Sequence, residues 1–243
     1  MTGSILIVGG GSDIASKLSK KLLERVFNVT LLVRNPDNLD QEISSKASVV
    51  VGDALSSSDL TSAIETAAAQ GDGSILGMAH LVGSILIRPP HAVKQEAFEE
   101  VIQTNLVSAF LALSLTCKSM LRTGGGRVVF TSSVAASLGL VNHEAIAAAK
   151  GGIESMVRSA AATYAQRKIR VNAVAPGLTD TKLSGNITKS EALLEAAVSM
   201  IPMKRINEPD EIAEAIFWLL TGAPDNLTGQ ILHLDGGMKH VRN

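Results

Sequence analysis

Apolar and amphipathic segments alternate along almost the whole chain. The apolar runs are short, nearly continuous and rich in β-branched residues, a pattern typical of strands buried on both faces of a parallel sheet. They predict seven strands, at Ser4–Val8, Val29–Val33, Ser48–Val51, Ile75–Val82, Arg127–Thr131, Ile169–Val174 and Gln230–Leu234. The segments between them predict helices at Asp13–Arg25, Asp59–Gln70, Gln95–Leu121, His143–Gln166, Lys189–Met200 and Pro209–Leu220.

The regular alternation of strands and helices predicts βαβ units with right-handed crossovers. The fold class that follows is α/β, with one doubly wound parallel sheet of about seven strands and helices on both faces. No linker-like stretch, composition shift or internal repeat divides the chain. We therefore expect residues 1–243 to form a single domain.

The chain has 22 Lys and Arg against 23 Asp and Glu, which gives a formal net charge of −1. Proteins that bind nucleic acids or membrane surfaces normally carry a basic excess, so this balance argues against both kinds of partner. The N-terminus lacks a signal-peptide pattern, and no run reaches the roughly 18 apolar residues of a membrane span. We expect a cytoplasmic protein. The single cysteine, Cys117, excludes an internal disulfide and a cysteine-built zinc site, and no metal site is expected.

A glycine cluster, Gly9-Gly10-Gly11, joins the first predicted strand to the first predicted helix. Such a turn lets the backbone approach a pyrophosphate, which then lies at the positive end of the helix. A tight connection without a ligand is the alternative, but this position in an α/β pattern favours phosphate binding. Asp13 lies at the start of the helix. Its carboxylate either faces the phosphate, turns away from it, or caps the helix.

The glycine turn and six later segments together resemble the short-chain dehydrogenase/reductase family, and the likeness covers essentially the whole chain. Each segment alone is a weak signal, whereas their order and spacing are specific. The segments are Val8–Ala15, Val51–Ala54, His80–Gly83, Thr104–Val107, Val129–Ser133, Val171–Thr181 and Leu227–Gly237. The turn keeps only the first glycine of the family's Thr-Gly-x-x-x-Gly-x-Gly, and His80–Gly83 keeps only the glycine of Asn-Asn-Ala-Gly.

The resemblance implies a Rossmann-type fold that binds a nicotinamide dinucleotide and transfers hydride to or from a carbinol carbon. The family's catalytic asparagine, serine and lysine correspond to Asn105, Ser133 and Lys150. The implied cofactor contacts are Gly9, Gly11, Ser12, Asp13, Ile14, Asp53, Ala54, Gly83, Lys150, Pro176, Gly177, Thr179 and Thr181.

The fourth member of the catalytic tetrad is missing. The family's Tyr-x-x-x-Lys motif ends at Lys150 and places Ile146 where the tyrosine stands; Ser133 lies thirteen residues before it, the family's usual spacing. The single tyrosine, Tyr164, lies 18 residues further along the same predicted helix, about 27 Å away. His143 lies one helical turn before Ile146, and an imidazole is a side chain that can donate a proton, so His143 is the candidate proton donor. A solvated histidine at the start of a helix is the alternative.

The end of the second strand indicates which dinucleotide is preferred. Sites that prefer NAD usually carry Asp or Glu there, to accept hydrogen bonds from the ribose hydroxyls. Here the strand exits through Arg34, whose guanidinium is suited to pair with the 2′-phosphate of NADP(H). A solvated loop arginine is the alternative, and Asp37 is a weaker argument for NAD(H). The sequence favours NADP(H) over NAD(H).

By resemblance, residues 182–205 form the family's variable substrate lid, and this stretch is called the lid segment here. Its apolar residues either line a pocket or pack as amphipathic helices; they are Leu183, Leu193, Leu194, Val198, Met200, Ile201 and Met203. The C-terminal half is most similar to β-ketoacyl carrier-protein reductases and related alcohol dehydrogenases. This similarity implies a small carbonyl or alcohol substrate.

Two further expectations concern activity and assembly. The retained Asn105, Ser133 and Lys150 favour an atypical oxidoreductase, whereas Ile146 and the altered turn favour a nucleotide-binding pseudoenzyme that senses cofactor or serves as an assembly partner. The helices at Gln95–Leu121 and His143–Gln166 carry many small or apolar residues. On the second helix, one stripe lies at positions 145, 149, 152, 153, 156 and 160 and another at 146, 150, 154 and 157, which is more apolar surface than one packed face needs. Because the family buries these two helices against a second subunit, we expect a homodimer or homotetramer.

Overall fold

The computed structural model describes residues 3–241, which contain one sheet of seven strands. The strands are β1 (Ser4–Val8), β2 (Asn28–Val33), β3 (Ser48–Val51), β4 (Gly77–His80), β5 (Gly126–Thr131), β6 (Ile169–Pro176) and β7 (Ile231–Leu234). Their order across the sheet is β3-β2-β1-β4-β5-β6-β7, and every neighbouring pair is parallel. The doubly wound parallel sheet predicted from the sequence is confirmed.

Helices cover both faces of the sheet. They are α1 (Asp13–Glu24), α2 (Gln41–Lys46), α3 (Ser57–Gln70), α4 (Gln95–Ile102), α5 (Ser108–Thr123), α6 (Glu144–Tyr164), α7 (Gly185–Thr188), α8 (Glu191–Ser199) and α9 (Pro209–Thr221). One apolar cluster joins the sheet to α3, α5 and α6 and includes Leu60, Leu113 and Ile153. A second cluster lies on the other face, against α1 and α9, and includes Leu18 and Ile216.

The strand order reverses between β1 and β4, and this reversal locates the crevice of the fold. From β1 the chain first builds β2 and β3 on one side, then returns to β4 and continues outwards on the other. Val8 and His80 are paired at the carboxyl ends of these two strands. Ligands of open α/β sheets bind at such a switch point, outside the carboxyl ends of the strands. The glycine turn after β1 and Gly83 after β4 therefore border the same crevice.

The predicted helix Gln95–Leu121 contains an interruption that its sequence does not signal. It forms α4, then a π-helical turn at Gln103–Val107, then α5. The whole stretch Gln95–Thr123 is long and apolar enough to cross a membrane by length and composition alone, and 44% of its most apolar window is buried inside the fold. A helix in the core of a globular protein can be equally long and apolar, so length and composition are weak evidence for a membrane span. Cys117 is fully buried on α5, and burial raises the pKa of its thiol to about 12.

Most of the apolar stripe on α6 is buried inside the chain itself. Ala145, Ala149, Ile153 and Ala160 are buried within this chain itself, so most of the stripe packs on the chain's own sheet and helices. Gly152 and Met156 are the stripe positions that remain partly exposed, and the assembly expected from the sequence stays a prediction. Phe110 on α5 is an exposed aromatic residue in this layer.

Candidate active site

The glycine turn combines close backbone packing with an open outer side. Gly9 has a φ of +90°, and a Cβ on it would lie 2.9 Å from the carbonyl carbon of Leu81. A Cβ on Gly10 would lie 2.8 Å from the Leu31 Cβ. No atom lies within 4 Å of the position a Cβ on Gly11 would take, and Gly11 is exposed. The turn is thus held tightly against β2 and the loop after β4 while its outer side is free for a phosphate group.

Asp13 neither caps α1 nor points freely toward the turn. The N-cap is Ser12, whose Oγ accepts a hydrogen bond from the Ala15 N–H at 3.1 Å. The Asp13 Oδ2 accepts from the backbone N–H of Lys182 at 2.7 Å, and its Oδ1 lies 3.8 Å from the Lys182 Nζ. The sequence left the direction of this carboxylate open, and in the structure it points toward the start of the lid segment.

The adenosine side of the predicted cofactor site follows β2 and β3. Arg34 is exposed at the end of β2, and no ion pair within residues 3–241 includes its guanidinium. Asp53 follows β3; its Oδ1 accepts from the Leu55 N–H at 2.8 Å. Ala54, beside it, is buried. This arrangement leaves a free cation at the strand end where the sequence places the ribose.

Gly83, Asn105 and Lys150 meet at the crevice. A Cβ on Gly83 would lie 3.1 Å from the Asn105 Oδ1 and 3.5 Å from the Lys150 Nζ. These residues come from the loop after β4, the π-helical turn and the middle of α6, so the fold unites three separate segments of the chain. Asn105 and Lys150, the catalytic candidates from the resemblance, are thus neighbours at the Gly83 loop.

The loop after β4 and helix α4 together fix the side chain of Asn105, which lies in the π-helical turn. Its Oδ1 accepts from the Ser84 N–H at 3.2 Å, and its Nδ2 donates to the Val101 carbonyl at 2.9 Å and to the Ser84 Oγ at 3.0 Å. Asn105 is fully buried. The contact between Ser84 and Asn105 could not be predicted, because nothing in the sequence pairs these two positions.

Lys150 is a buried lysine with one protein hydrogen bond. Its Nζ donates to the Thr131 carbonyl at 2.8 Å. Burial lowers the pKa of this amine to about 8, because desolvation disfavours the charged form. Lys150 takes part in no ion pair among the described residues. Since an ammonium group carries three donors, two remain for a ligand such as a pair of ribose hydroxyls.

Two serines, Ser132 and Ser133, directly follow β5 and differ in burial and in hydrogen bonding. Ser133 is half-buried, and its Oγ accepts from the Ala135 N–H at 3.2 Å, which leaves the hydroxyl proton available. Ser132 is buried, and its Oγ donates to the Glu154 Oε1 at 3.0 Å. The catalytic candidate Ser133 is therefore the serine that can still donate to a ligand.

Ile146 is enclosed by hydrophobic neighbours. It is 4% exposed and packs in a small cluster that includes Val101, Ala135 and Ala149. His143 precedes the helix as its N-cap residue instead of lying within the first turn, and its Nδ1 lies 2.7 Å from the Val141 carbonyl oxygen. The hydrogen bond to this carbonyl assigns the proton to Nδ1, which leaves Nε2 without one in the neutral ring.

The Pro-Gly segment lies at the carboxyl end of β6. Pro176 is the last residue of β6, and the Gly177 N–H donates to the Leu234 carbonyl of β7 at 2.8 Å. The Thr179 Oγ1 donates to the Gly177 carbonyl at 3.1 Å. Thr181 caps the next turn through a reciprocal hydrogen-bond pair with Ser184. Both threonine hydroxyls thus brace the backbone that leads from β6 into the lid segment.

His80, at the end of β4, is a residue that the sequence analysis did not assign to the site's framework. It is fully buried, and its Nε2 lies 3.0 Å from the Ser108 Oγ. Burial, with a smaller contribution from the Lys150 charge, lowers the pKa of this imidazole to about 3. A single histidine inside an otherwise apolar predicted strand, Ile75–Val82, is the signal that could have indicated it.

The strand order, the glycine turn and the asparagine, serine and lysine around one crevice define a Rossmann-type α/β protein. The family model described as enoyl-(acyl carrier protein) reductase matches residues 8–239. The chain belongs to the short-chain dehydrogenase/reductase family of oxidoreductases.

Relatives and solved structures agree with this assignment over almost the full length. The chain is 30% identical to 2-(S)-hydroxypropyl-CoM dehydrogenase 3 of Xanthobacter autotrophicus, over 98% of this chain and 96% of that protein. It is 28% identical to the 3-oxoacyl-[acyl-carrier-protein] reductase MabA of Mycobacterium bovis, over 97% and 92%. A short-chain type dehydrogenase/reductase from Mycobacterium ulcerans superposes with a TM-score of 0.91 at 28% identity, over 100% of this chain and 92% of that one.

Proposed function

We propose that this chain is an NADP(H)-dependent oxidoreductase that transfers hydride between the nicotinamide and a small carbonyl or alcohol substrate. The observation that carries the proposal is the meeting of Gly83, Asn105 and Lys150 at the crevice, with Ser133 at the end of the adjoining strand. A merely structural role does not require a buried lysine with two free donors beside a buried asparagine.

The residues present fit a dinucleotide. The turn at Gly9 and Gly11 offers backbone contact to a pyrophosphate, and α1 provides the positive helix end. Asp53 and Ala54 are candidates for the adenine side, and Arg34 for a 2′-phosphate. The remaining candidate contacts, carried over from the sequence, are Ser12, Asp13, Ile14, Pro176, Gly177, Thr179 and Thr181.

The dinucleotide, when bound, supplies or accepts the hydride. Ser133 would donate a hydrogen bond to the substrate oxygen, since its hydroxyl proton has no partner in the local turn. Lys150 would hold ribose hydroxyls through its two free donors, and Asn105 would keep the Gly83–Ser84 loop in place. Ile146 supplies no proton, and His143 remains the proposed donor, acting through Nε2 when the ring is doubly protonated.

The lid segment suits a substrate with an apolar part. Four of its predicted lining residues, Leu183, Leu193, Met200 and Met203, are 52–59% exposed, so they have apolar surface to give to a ligand. A 3-oxoacyl thioester has such a chain beside its ketone, and the similarity to a 3-oxoacyl reductase supports this substrate class. We place the protein in the cytoplasm as a homodimer or homotetramer, without a nucleic-acid or membrane partner. Light scattering at micromolar concentration tests the assembly, and a monomer would contradict it.

A second candidate function is a nucleotide-binding pseudoenzyme that senses cofactor or serves as an assembly partner. The closed apolar packing of Ile146 favours it, because this side chain is part of a cluster and leaves no polar group at the family's proton-donor position. Both candidates require dinucleotide binding, and they differ in turnover.

Titration with NADPH and NADH, followed by NADPH oxidation with ketones, quinones and 3-oxoacyl thioesters, tests the proposal. We expect NADPH to bind and at least one ketone-bearing substrate to be reduced. His143→Gln should lower this turnover by 10²- to 10⁴-fold if the imidazole donates the proton, and should leave NADPH binding unchanged. Binding without any turnover would favour the pseudoenzyme, and the absence of binding would refute both.

A further inference from the structure

The hydrogen bond between Asp13 and Lys182 joins two parts of the predicted site that are 169 residues apart in the sequence. Asp13 is the first residue of α1, directly after the glycine turn, and Lys182 is the first residue of the lid segment. We propose that the Lys182 N–H anchors the Asp13 carboxylate away from the phosphate site, so that tight dinucleotide binding and an anchored lid require each other. This inference rests on the proposed function only in assuming that a dinucleotide binds at the turn.

An aspartate at this position is an obstacle to a phosphate ligand unless its direction is controlled. The backbone N–H groups at the start of α1 attract an anion, whereas a carboxylate within the same turn of helix repels one. Asp13 is partly buried, with its side chain 28% exposed, so water screens the repulsion incompletely. The anchor turns the negative charge toward a donor and thereby leaves the turn to the ligand.

The donor is the backbone of Lys182, not its side chain. The N–H group lies 2.7 Å from the Asp13 Oδ2, whereas the Nζ is 3.8 Å from the Oδ1 on a side chain that is 82% exposed. An exposed ion pair of that kind contributes little. The reciprocal hydrogen bonds between Thr181 and Ser184 fix the turn in which this N–H lies, and Ser184 is itself buried. The anchor therefore joins two rigid elements.

The lid segment is held at Ser184 and again at Ile201, which are both buried, whereas the stretch between these two residues contains no buried residue. Helix α8 contains no buried residue, and α7 is a single turn, also without one. Segments with few buried contacts open at low free-energy cost. A contact at the first residue of such a segment can shift its opening equilibrium measurably.

Coupling between the two sites is reciprocal. If an unanchored Asp13 weakens dinucleotide binding by some factor, dinucleotide binding must favour the anchored lid by the same factor. Nucleotide affinity and opening of the lid segment should therefore change together, and each can be measured independently.

Lys182→Pro removes the anchoring N–H with little other change. Proline is tolerated at the first position of a helical turn, and Thr181, which precedes it, already has the extended conformation that a following proline requires (φ −136°, ψ 163°). Lys182→Gln is the matched control, because it removes the charge and keeps the N–H. We expect NADPH affinity to fall about 10-fold in Lys182→Pro, more at low salt, and to change less than about 2-fold in Lys182→Gln.

Two further binding measurements distinguish charge repulsion by Asp13 from a general disturbance of the fold. The double variant Asp13→Ala/Lys182→Pro should regain the affinity lost in Lys182→Pro, because no carboxylate remains to face the phosphates. Adenosine 2′-monophosphate, which lacks the pyrophosphate, should bind Lys182→Pro and the unaltered protein equally. A double variant that stays as weak as Lys182→Pro would overturn the inference.

Cleavage by a glutamate-specific protease at Glu191 and Glu195 on α8 reports on the lid without measuring activity. Asp13→Ala and Lys182→Pro should be cut faster than the unaltered protein, and NADPH should slow cleavage of the unaltered protein but not of Asp13→Ala. Asp13→Asn, which keeps an acceptor oxygen, should be cut like the unaltered protein and serves as the test if Lys182→Pro does not fold. Equal cleavage of Asp13→Ala and the unaltered protein would refute the anchor even if no dinucleotide bound at all.

Discussion

The Nε2 of His80 lies 3.0 Å from the Ser108 Oγ, beneath the π-helical turn that carries Asn105. The Ser108 N–H bonds to Gln103 in the π pattern, and the Ser108 hydroxyl donates to the Thr104 carbonyl at 2.6 Å. Because that hydroxyl has one proton, the imidazole must be the donor in the contact with Ser108. A buried neutral histidine thus supports the turn that carries Asn105.

Ser108→Ala should therefore destabilise the fold. It leaves the His80 Nε2–H and the Thr104 carbonyl without this partner, and a buried group that loses its partner costs about 1–3 kcal/mol in the free energy of unfolding. Thr116 lies on the same helix and is equally buried, but its hydroxyl has no hydrogen-bond partner among residues 3–241. Thr116→Val is thus the matched control and should be neutral or stabilising. Denaturant unfolding measures the free energy of unfolding of both variants. Equal losses of this free energy in the two variants would contradict the role given to His80.

Arg34 should set the preference between the two dinucleotides. Its guanidinium is exposed at the end of β2, and a charge-assisted contact with a 2′-phosphate contributes about 1.5–3 kcal/mol. Arg34→Ala should weaken NADPH binding by at least 10-fold and leave NADH binding nearly unchanged, as measured by fluorescence titration. Equal affinity of the unaltered protein for both nucleotides would show that the sequence argument for NADP(H) is wrong.

Ile146→Tyr should raise the rate of carbonyl reduction. The phenol would stand one helical turn from Lys150, whose positive charge lowers the pKa of a neighbouring acid. We expect a gain of about 10- to 1,000-fold on a generic ketone, less than the full value of a positioned acid. Ile146→Phe adds the ring without the hydroxyl and should show no gain. Both replacements overfill a buried apolar cluster, so each should lose about 1–3 kcal/mol of stability.

A slower tyrosine variant of an active protein would mean that another group already supplies the proton. A tyrosine variant that folds, binds NADPH and reduces nothing would favour the pseudoenzyme.

Lys150 should give the protein without nucleotide a distinct dependence of stability on pH. Burial lowers the pKa of its amine from the usual 10.5 to about 8, so the unfolded chain holds this proton more tightly than the folded one. Between about pH 8 and 10.5 unfolding takes up a proton, and raising the pH stabilises the fold, by at most about 3 kcal/mol. Lys150→Met lacks this contribution. The difference in unfolding free energy between the two proteins should therefore move in favour of the unaltered protein from pH 7.5 to 10, and a constant difference would contradict the buried lysine.

The sheet was predictable because its strands are short apolar runs with clear ends. The roles proposed for Asn105, Gly83 and Lys150 came from the family resemblance, because Asn105 and Lys150 lie on helices and no strand pattern shows that these helices meet the Gly83 loop. The direction of Asp13 was not, because its partner Lys182 lies 169 residues away and a backbone N–H has no sequence signature. The π-helical turn was missed for a similar reason: the contacts that fix Asn105 come from Ser84, on another loop.

The burial of Cys117 makes the molecule convenient for labelling experiments. As the single thiol of the chain, fully enclosed and with a raised pKa, it should react with an alkylating dye only when the core around α5 opens. A cysteine introduced at an exposed site such as Ser199 on α8 would then carry a fluorophore selectively, without removal of the native thiol. Movements of the lid segment could be followed in an otherwise unaltered protein.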